Sequence, residues 1–435
     1  MSGTLFTNVR IFEGTGSALE AAEVLVQGNR IRSVARDGRS LARRNGVEVI
    51  DGGGATLMPG LVNPHCHFTY NNATSIADIT ALPVEEHMLV TMRNLARYLD
   101  HGFTAVIGMA SAKPRLELVA RNAVDAGEYP GPRIRACTPE YTVTGGLGDD
   151  SRLDREIPSI GLICNGAEEF RRSIREQIRE GVDIVKFNNS GDSLTMGGLP
   201  GDVNPMTDDE VRAICETTHR LGRRVAAHAH ADSGVLQCIE HGVEFINHAT
   251  FASEATIERL AAVADRHWVT PAIAARYNTC FEAEAWGITA AVAEAIGNKR
   301  EFEAGCAAMT RMHAAGIRVL PFGDYGFAWL PIGQDARDLQ HMVDFFGMQP
   351  WEALRAATAY GGEAWAGASG ELLGRVKPGY LADLLVIDGD PLADLRLLQD
   401  RARITAVMKD GRFHRRPPPG EPFVSTRPRR RRAAA

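Results

Sequence analysis

Hydrophobic residues along the chain follow two different periods, and the change of period divides the sequence into parts. From about Leu57 to Gly370, short apolar runs alternate with stretches of amphipathic helical pattern. Both ends of the chain instead show short alternating segments that are typical of antiparallel strands. The pattern predicts an α/β protein with a long central domain and a small β-rich domain formed from both termini.

The β-rich ends carry two turn signals among their alternating segments. Gly28-Asn29 and Asp410-Gly411 are dipeptides typical of two-residue hairpin turns. The predicted strand segments are Thr4–Phe12, Ala22–Val34 around the first turn, Leu381–Ile387 and Ile404–Lys409. We therefore expect a small β-sandwich whose two parts are residues 1–57 and 372–414.

The central region, residues 58–371, contains eight short apolar runs with helical segments between them. The runs are Gly60–Phe68, Thr104–Met109, Arg133–Pro139, Asp183–Asn189, Arg224–His230, Phe245–Thr250, Trp268–Ala274 and Val319–Tyr325. The helical segments include Glu168–Glu180, Thr207–Leu221 with Thr207 as N-cap, and Phe302–Ala315. Eight βα units are the number that forms a (β/α)8 TIM barrel, and a doubly wound open sheet is the competing architecture.

Charge and cysteine content exclude several classes of protein. The formal net charge of −6 gives no general attraction to nucleic acid or to an anionic membrane. The start lacks the pattern of a secretory signal, and no apolar run reaches the ~20 residues of a membrane span. Seven scattered cysteines without a CxxC pair indicate reduced thiols and a cytoplasmic protein. Residues 415–435 are rich in Pro and Arg and predict a disordered tail, in preference to an anion-binding segment at Arg429–Arg432.

Histidines cluster where the apolar runs end. His65 and His67 (LVNPHCHF) and again His228 and His230 (VAAHAHA) stand two residues apart, so each pair projects to one face of its strand. Two imidazoles on one face at a strand end can bind one metal ion side by side. A single HxH is weak evidence, because two polar residues at a strand end are also common without a metal.

Lys186 (DIVKFNN) ends the fourth run and shares a face with Val182 and Ile184. Its side chain should therefore point into the mouth of the barrel, where an unpaired ammonium would be costly to desolvate. One interpretation is a salt bridge to a neighbouring carboxylate. The other is a carboxylated lysine, formed with CO₂, which is an anionic oxygen ligand long enough to bridge two metals.

Two further polar residues complete the pattern: His248 (FINHAT) ends the sixth run and Asp324 (VLPFGDYG) ends the eighth. Any of these residues alone can be structural. Five histidines, one lysine and one aspartate at the carboxyl ends of strands favour the barrel over the open sheet, because barrel active sites are built at that face. Imidazole and carboxylate ligands of this mix suit zinc or a similar divalent transition ion.

The combined pattern resembles the amidohydrolase superfamily over nearly the whole chain. The resemblance rests on HxH at the first strand, Lys at the fourth, His at the fifth and sixth, Asp at the eighth, and the C-terminal motif KPGYLADLLVID at Lys377–Asp388. The run from Glu168 to His248 is most similar to the branch of imidazolonepropionase-like and Xaa-Pro or Xaa-Arg dipeptidase-like enzymes, which also includes ochratoxin amidases and phenylurea-type pesticide hydrolases.

The resemblance implies a binuclear centre with two divalent ions, zinc being the expected metal. His65, His67 and Asp324 would hold one ion, His228 and His248 the other, and carboxylated Lys186 would bridge them. Two ions sharing a water lower its pKa toward neutrality and supply a hydroxide nucleophile. Asp324 would then move the proton to the leaving nitrogen, and His230 would hydrogen-bond the developing oxyanion.

The chain departs from its relatives in two motifs that bear on the substrate. Dipeptidase-like members usually read TGGHG and PHG where this chain has Leu147 (TGGLGDD) and Ile332 (LPIGQDA). These replacements predict a more apolar pocket. Aromatic residues near the strand ends point the same way, although ordinary packing at a barrel mouth explains the aromatic residues equally well. The expected substrate-binding residues are Tyr70, Leu147, Asn188, Arg276, Trp329 and Ile332.

Four function classes remain open at this stage. The leading hypothesis is hydrolysis of a C–N bond (amide, carbamate or urea) in a small, apolar, aromatic substrate. A dipeptidase or carboxypeptidase acting on N-acyl amino acids needs a cation for the substrate carboxylate, for which Arg276 is the candidate. A mononuclear deaminase of this superfamily generally lacks the lysine found here at Lys186, and a binding scaffold would leave the ligands idle. We expect a small-molecule substrate, no nucleic-acid or membrane partner, and a homo-oligomer.

Overall fold

The computed structural model describes residues 3–43, 45–154, 158–194 and 198–416. Strands from both ends of this chain build one mixed sheet of eight strands. They are β1 (Gly3–Ile11), β2 (Glu20–Gln27), β3 (Arg30–Arg36), β4 (Val47–Asp51), β5 (Thr56–Pro59), β15 (Leu384–Ile387), β16 (Ile404–Lys409) and β17 (Arg412–Arg415). The order is β17-β16-β15-β5-β1-β2-β3, with β4 paired to β1.

The two halves of this sheet meet where β5 pairs with β15 in antiparallel register, Leu57 opposite Val386. The expected sandwich stays a prediction; the hydrogen bonds join all eight strands in one sheet. The reason is that β1 pairs with β4 along its first half and with β5 at its end. Both predicted hairpin turns are confirmed, at Gly28-Asn29 between β2 and β3 and at Asp410-Gly411 between β16 and β17.

The central strands are parallel and fall into two sheets. Three strands form the first, in the order β6 (Leu61–Cys66), β7 (Phe103–Gly108), β8 (Arg133–Arg135). The second contains β9 (Tyr141–Thr142), β10 (Leu162–Ile163), β11 (Ile184–Asn188), β12 (Arg224–Ala229), β13 (Phe245–His248) and β14 (Trp268–Thr270). A single parallel bridge between Cys137 and Ile184 connects the two sheets.

Helices separate most of these strands and cover the outside of the sheets. They are α1 (Ile76–Ile79), α2 (Val84–Asp100), α3 (Leu116–Asp125), α4 (Ala167–Glu180), α5 (Asp208–Arg220), α6 (Asp232–His241), α7 (Glu254–Ala261), α8 (Ile273–Phe281), α9 (Ala290–Ala295), α10 (Asn298–Ala314), α11 (Asp338–Phe346), α12 (Pro350–Arg355) and α13 (Gly361–Ala366). The predicted N-cap is confirmed, since Thr207 and Glu210 form a capping box at α5. In the described part of the chain, no helix combines the length and the apolar character needed to cross a membrane.

Three of the eight predicted central strands are less than half as long as expected, and each has a local cause. After β8, the backbone N–H groups of Ala136 and Cys137 donate to the carboxylates of Asp183 and Glu117 instead of to a strand. The seventh strand ends before Pro271, which has no N–H to donate.

The eighth run forms only a bridge between Val319 and Val269. Its extended backbone is interrupted because Phe322 and Asp324 adopt φ of 76° and 59°. At the C-terminus, β17 runs to Arg415, so the predicted tail begins later than position 415. The rest of that tail prediction, residues 417–435, lies outside the described residues.

Candidate metal centre

The first group of polar residues joins the end of β6 to the loop after Val319. The Asp324 Oδ1 lies 3.0 Å from His65 Nε2 and 3.1 Å from His67 Nε2. One ligand atom from each of the three side chains lies within 4.8 Å of the others. Asp324 reaches this position through its left-handed backbone, a conformation that costs a non-glycine residue free energy and is concentrated at functional sites.

The second group consists of three buried histidines from adjacent strands: His228, His230 and His248. The ring centroid of His228 lies 4.7 Å from that of His230 and 4.4 Å from that of His248. His230 and His248 stack at 4.3 Å. Like Asp324, His248 has a positive φ, 75°, so both groups are held by strained backbone.

The two groups touch. The rings of His65 and His248 lie 5.5 Å apart, and His248 Nε2 is 3.9 Å from Asp324 Oδ2. Lys186 is buried and influences Asp324, His65 and His228 electrostatically. Its Nζ donates a hydrogen bond to Asn247 Oδ1. The predicted metal ligands therefore lie close together, and Lys186 interacts electrostatically with members of both groups.

The protonation states of these residues suit a divalent cation. Burial lowers the pKa of His65 to about 4 and those of His228 and His248 well below the usual value. Burial alone would raise the pKa of Asp324, but His65 and His248 outweigh it and hold that pKa well below its usual range. Neutral imidazoles next to a carboxylate anion are a donor set for zinc or a similar ion.

Neighbouring polar groups fix the orientation of the rings. His65 Nδ1 faces Thr270 Oγ1 at 3.2 Å, and His230 Nδ1 faces Thr250 Oγ1 at 2.6 Å. In a metal-binding histidine, a hydrogen bond at the ring nitrogen that does not bind the metal sets the tautomer and orients the other nitrogen. His67 is held differently, because its ring stacks on Tyr70 at 4.4 Å.

A cavity of about 540 Å³, including its open mouth, lies above the first group. Its polar lining is formed by Glu140, Lys186 and Asp192 together with His67, His228 and Asp324, and its apolar lining by Tyr70, Ile76, Ile79, Leu147, Ile160, Leu194 and Phe327. Two of the six predicted substrate residues, Tyr70 and Leu147, thus line the cavity directly. The mixture of a reactive floor and apolar walls is typical of a small-molecule site.

The other four predicted substrate residues lie further from the cavity. Asn188 is buried behind the wall and donates to the Leu147 carbonyl at 2.9 Å. Trp329 stacks on Phe327 at 5.2 Å and is itself mostly buried. Ile332 is buried, and its backbone N–H donates to Asn72 Oδ1. The fourth residue, Arg276, is also placed outside the lining.

Arg276 is already paired inside the protein. Its guanidinium lies 2.6 Å from the Asp192 carboxylate and 3.1 Å from that of Glu301, and it also contacts His230 Nε2 at 3.0 Å. The expected role of anchoring a substrate carboxylate does not fit, because two buried anions neutralise this charge. His230 likewise has both ring nitrogens engaged and lies outside the cavity lining, so the structure does not bring it to an oxyanion.

Sequence reasoning missed two acidic residues of the cavity, Glu140 and Asp192. Asp192 belongs to the polar run NNSGDS, which begins at the last residue of β11, and a polar run at the carboxyl end of a parallel strand is a signal that was available. Glu140 stands between the short strands β8 and β9, and no periodic pattern marks it.

Comparison with known proteins agrees with this geometry. The amidohydrolase family profile matches residues 56–413. The ochratoxinase of Aspergillus niger is 27% identical over 395 residues, which cover 83% of this chain and 76% of that protein. A crystal structure of an amidohydrolase shares 26% identity with a TM-score of 0.83, over 95% of this chain and 99% of that one. A Xaa-Pro dipeptidase at 23% identity shows the same fold, with a TM-score of 0.82 over 95% and 100% of the two chains. The resemblance found in the sequence is confirmed: the chain belongs to the amidohydrolase family and is a hydrolase that acts on carbon–nitrogen bonds.

Proposed function

We propose that this chain is a binuclear metal-dependent amidohydrolase that cleaves the C–N bond of an amide, carbamate or urea in a small, largely apolar, aryl substrate. The observation that carries the proposal is the position of Asp324. Its carboxylate lines the cavity, lies within 3.1 Å of His65 and His67, and lies 3.9 Å from His248 of the second group. The Asp324 carboxylate therefore lies close to histidines of both groups and is also exposed to the cavity in which a substrate would bind.

In this proposal His65, His67 and Asp324 would hold one zinc ion and His228 and His248 the other. In its carboxylated form, Lys186 would supply the oxygen ligand shared by both ions. Burial lowers the pKa of its amine, and the neutral amine is the form that reacts with CO₂. Bound divalent ions supply Lewis acidity, which lowers the pKa of water and polarises a substrate carbonyl.

The same proposal takes the two parallel sheets as arcs of a single (β/α)8 barrel. The bridge between Cys137 and Ile184 joins the two sheets at one pair of edges. The sheets also contact each other at their other edges. There Phe103 of β7 packs against Phe322 at 5.0 Å, and His65 of β6 faces Thr270 at the end of β14. Contacts on both sides are what a closed arrangement of eight units requires.

Asp324 is the proton carrier of the reaction. It is an anion at neutral pH, because its histidine neighbours hold its pKa low. It therefore accepts a proton from the attacking water and delivers it to the leaving nitrogen. A leaving amine that departs with its proton avoids the high-energy amide anion.

The cavity favours a substrate without a free carboxylate. Among the described lining residues, the side chains that carry or can carry positive charge are Lys186, His67 and His228, and all three are assigned to the metals. Arg276, the cation that a peptidase acting on N-acyl amino acids would need, is neutralised by Asp192 and Glu301. A substrate carboxylate would lose hydration without gaining a partner. The apolar walls favour an aryl group instead.

Metal analysis combined with a substrate screen tests the proposal. Zinc-loaded protein is expected to bind two ions per chain and to hydrolyse anilides, aryl carbamates or phenylureas with higher kcat/KM than N-acyl amino acids. Changing His65 and His67 together to alanine should remove most metal and activity, whereas the same change at His313, which contacts Glu352 on the surface, should remove neither. One ion per chain would favour a deaminase. A clear preference for the free carboxylate would favour a peptidase.

A further inference from the structure

Glu140 places a carboxylate in the cavity wall that the proposed reaction does not use. The residue stands just before β9 and lines the cavity together with Asp324 and His67. The other additional acid of the cavity, Asp192, already has a counterion in Arg276 at 2.6 Å. Glu140 therefore differs from the other acidic residues of the site and needs an explanation of its own.

Within the described residues, no cationic side chain forms an ion pair with Glu140. Burial raises the pKa of the Glu140 carboxyl, and Lys186, Asn188 and His67 act against that rise, but the Lys186 Nζ donates its hydrogen bond to Asn247. In the carboxylated form proposed above, Lys186 carries no positive charge at all. A carboxylate in such a position gains free energy from any ligand that brings it a charged hydrogen-bond donor.

Asn188 provides the second observation. It is fully buried on the same strand face as Lys186, two residues further along β11. Its Nδ2 donates to the Leu147 carbonyl at 2.9 Å and to the Glu140 carboxylate. Its Oδ1 is buried and accepts no hydrogen bond from the described residues. The amide Nδ2 is therefore the part of Asn188 that positions the Glu140 carboxylate.

The backbone around this pair is shaped to leave room for it. Gly148 adopts φ of +89°, and a Cβ at this position would lie 2.7 Å from Glu140 Oε1 and 3.4 Å from Asn188 Nδ2. A side chain at position 148 would therefore push the carboxylate aside. The glycine lets Glu140 and Asn188 lie together in the wall.

We propose that Glu140, supported by Asn188, binds a primary ammonium group of the substrate. This inference rests on the proposed function and narrows its substrate class to aminoacyl arylamides, in which a free α-amino group stands next to the scissile carbonyl. The ammonium donates a hydrogen bond to the Glu140 carboxylate, and Asn188, buried behind the wall, holds that carboxylate in position. The apolar side chain and the aryl group contact the walls around Leu147 and Phe327.

A matched pair of substrates tests the inference. Phenylalanine anilide and 3-phenylpropionanilide differ only by the amino group. We expect the zinc-loaded enzyme to prefer the first, and Glu140→Gln to lower the ratio of the two kcat/KM values by about ten- to hundredfold, as expected for losing a charged hydrogen bond. Glu140→Asp, which keeps the charge, should recover part of the ratio. The control Glu168→Gln changes an exposed carboxylate on α4 and should leave the ratio unaltered. A ratio that is the same in wild type and Glu140→Gln would overturn the inference.

Calorimetry separates this inference from the proposed function. Phenylalaninol and 3-phenylpropanol carry no cleavable bond and again differ only by the amino group. The inference requires the zinc-loaded wild type to bind phenylalaninol more tightly than 3-phenylpropanol, and Glu140→Gln to abolish the difference. If neither anilide is cleaved but this binding difference is found, the proposed function fails and the amine site stands. If the two compounds bind alike to the wild type, the amine site is refuted whatever the activity.

Discussion

Asp324 combines three structural properties that suit a residue of the active site. It has a left-handed backbone with φ of 59°, its side chain is 14% exposed toward the cavity, and its two oxygens face different histidines, His65 and His67 on one side and His248 on the other. A carboxylate in such a position interacts with ligands from both groups while keeping access to the substrate. Its contribution should therefore be to the chemical step.

The corresponding prediction is that Asp324→Asn lowers kcat much more than it raises KM. The amide keeps the size of the side chain but neither carries the negative charge nor accepts a proton at neutral pH. Removal of a general base typically costs about 10²–10⁴-fold in rate. Steady-state kinetics on one anilide substrate measure both constants. A change confined to KM would mean that Asp324 only helps to bind substrate.

At the residue scale, the sequence predicted the parts of the site that lie on strands. His65, His67, Lys186, His228 and His248 follow from strand periodicity, since each ends an apolar run. Residues on irregular segments have no such period. Glu140 was missed for this reason, and Ile332 and Arg276 were assigned to the pocket because sequence position alone does not show which way a loop or helix turns its side chains.

At the scale of elements, the capping and turn motifs in the sequence predicted the structure correctly. The capping box of Thr207 and Glu210 fixes the start of α5, and the two hairpin turns have the residues that a positive φ demands. The strand ends near the site were predicted less well. There, side chains such as Asp183 and Glu117 take the backbone donors, and no propensity rule includes that competition.

The two hairpin turns also bring the ends of the chain together. Gly411 and Gly28 both adopt a positive φ, 70° and 60°, but only Gly411 is enclosed. A Cβ at Gly411 would overlap the carbonyl oxygen of Gly28, whereas a Cβ at Gly28 meets no atom within 4 Å. The turn at Asp410-Gly411 therefore packs closely against the turn at Gly28-Asn29.

We predict that Gly411→Ala lowers the melting temperature clearly more than Gly28→Ala. Both variants carry the strain of alanine in a left-handed conformation, roughly 1–2 kcal/mol, so their difference isolates the clash between the turns. Differential scanning fluorimetry on the two purified variants provides the comparison. Equal melting temperatures would show that the two turns do not press on each other in solution.

Asp335 connects several elements beneath the site. Its carboxyl accepts hydrogen bonds from Asn63 of β6, Tyr98 of α2 and the Gly333 N–H, all at 3.0 Å. Burial nevertheless raises its pKa to about 7. Because the folded-state pKa lies above the unfolded value of about 3.9, the folded protein holds the proton more tightly. The resulting stability is present below about pH 4 and is lost as the pH rises through about 7.

Asp335→Asn should therefore make stability less dependent on pH between about 4 and 7. The contribution removed is about 4 kcal/mol across this range, from about 1.36 kcal/mol per pH unit. The slope of melting temperature against pH measures it, with the exposed Asp344→Asn as control. If the variant and the wild type have the same slope, Asp335 is ionised in the folded protein at all these pH values.

At the scale of the whole molecule, the metal ligands come from parts of the chain that hydrogen bonds connect only sparsely. His65 lies on the sheet of β6, β7 and β8, with His67 directly after β6, whereas His228 and His248 lie on the other parallel sheet. Asp324 follows a run that touches its neighbour through a single bridge, between Val319 and Val269. Metal bound by these residues would hold the two sheets and this loop together.

The last prediction follows from this arrangement. Zinc that binds only the folded state should stabilise it by about 4 kcal/mol at a thousandfold excess over Kd, which raises the melting temperature by roughly 5 °C. Protein stripped with a chelator should show the lower value, and added zinc should restore the higher one. The variant with both His65 and His67 changed to alanine should lose most of this shift, whereas His313→Ala should keep it, because its ring lies 3.4 Å from Glu352 and belongs to neither group of ligands. A full shift in the double variant would place the stabilising ion somewhere other than the site formed by β6 and Asp324.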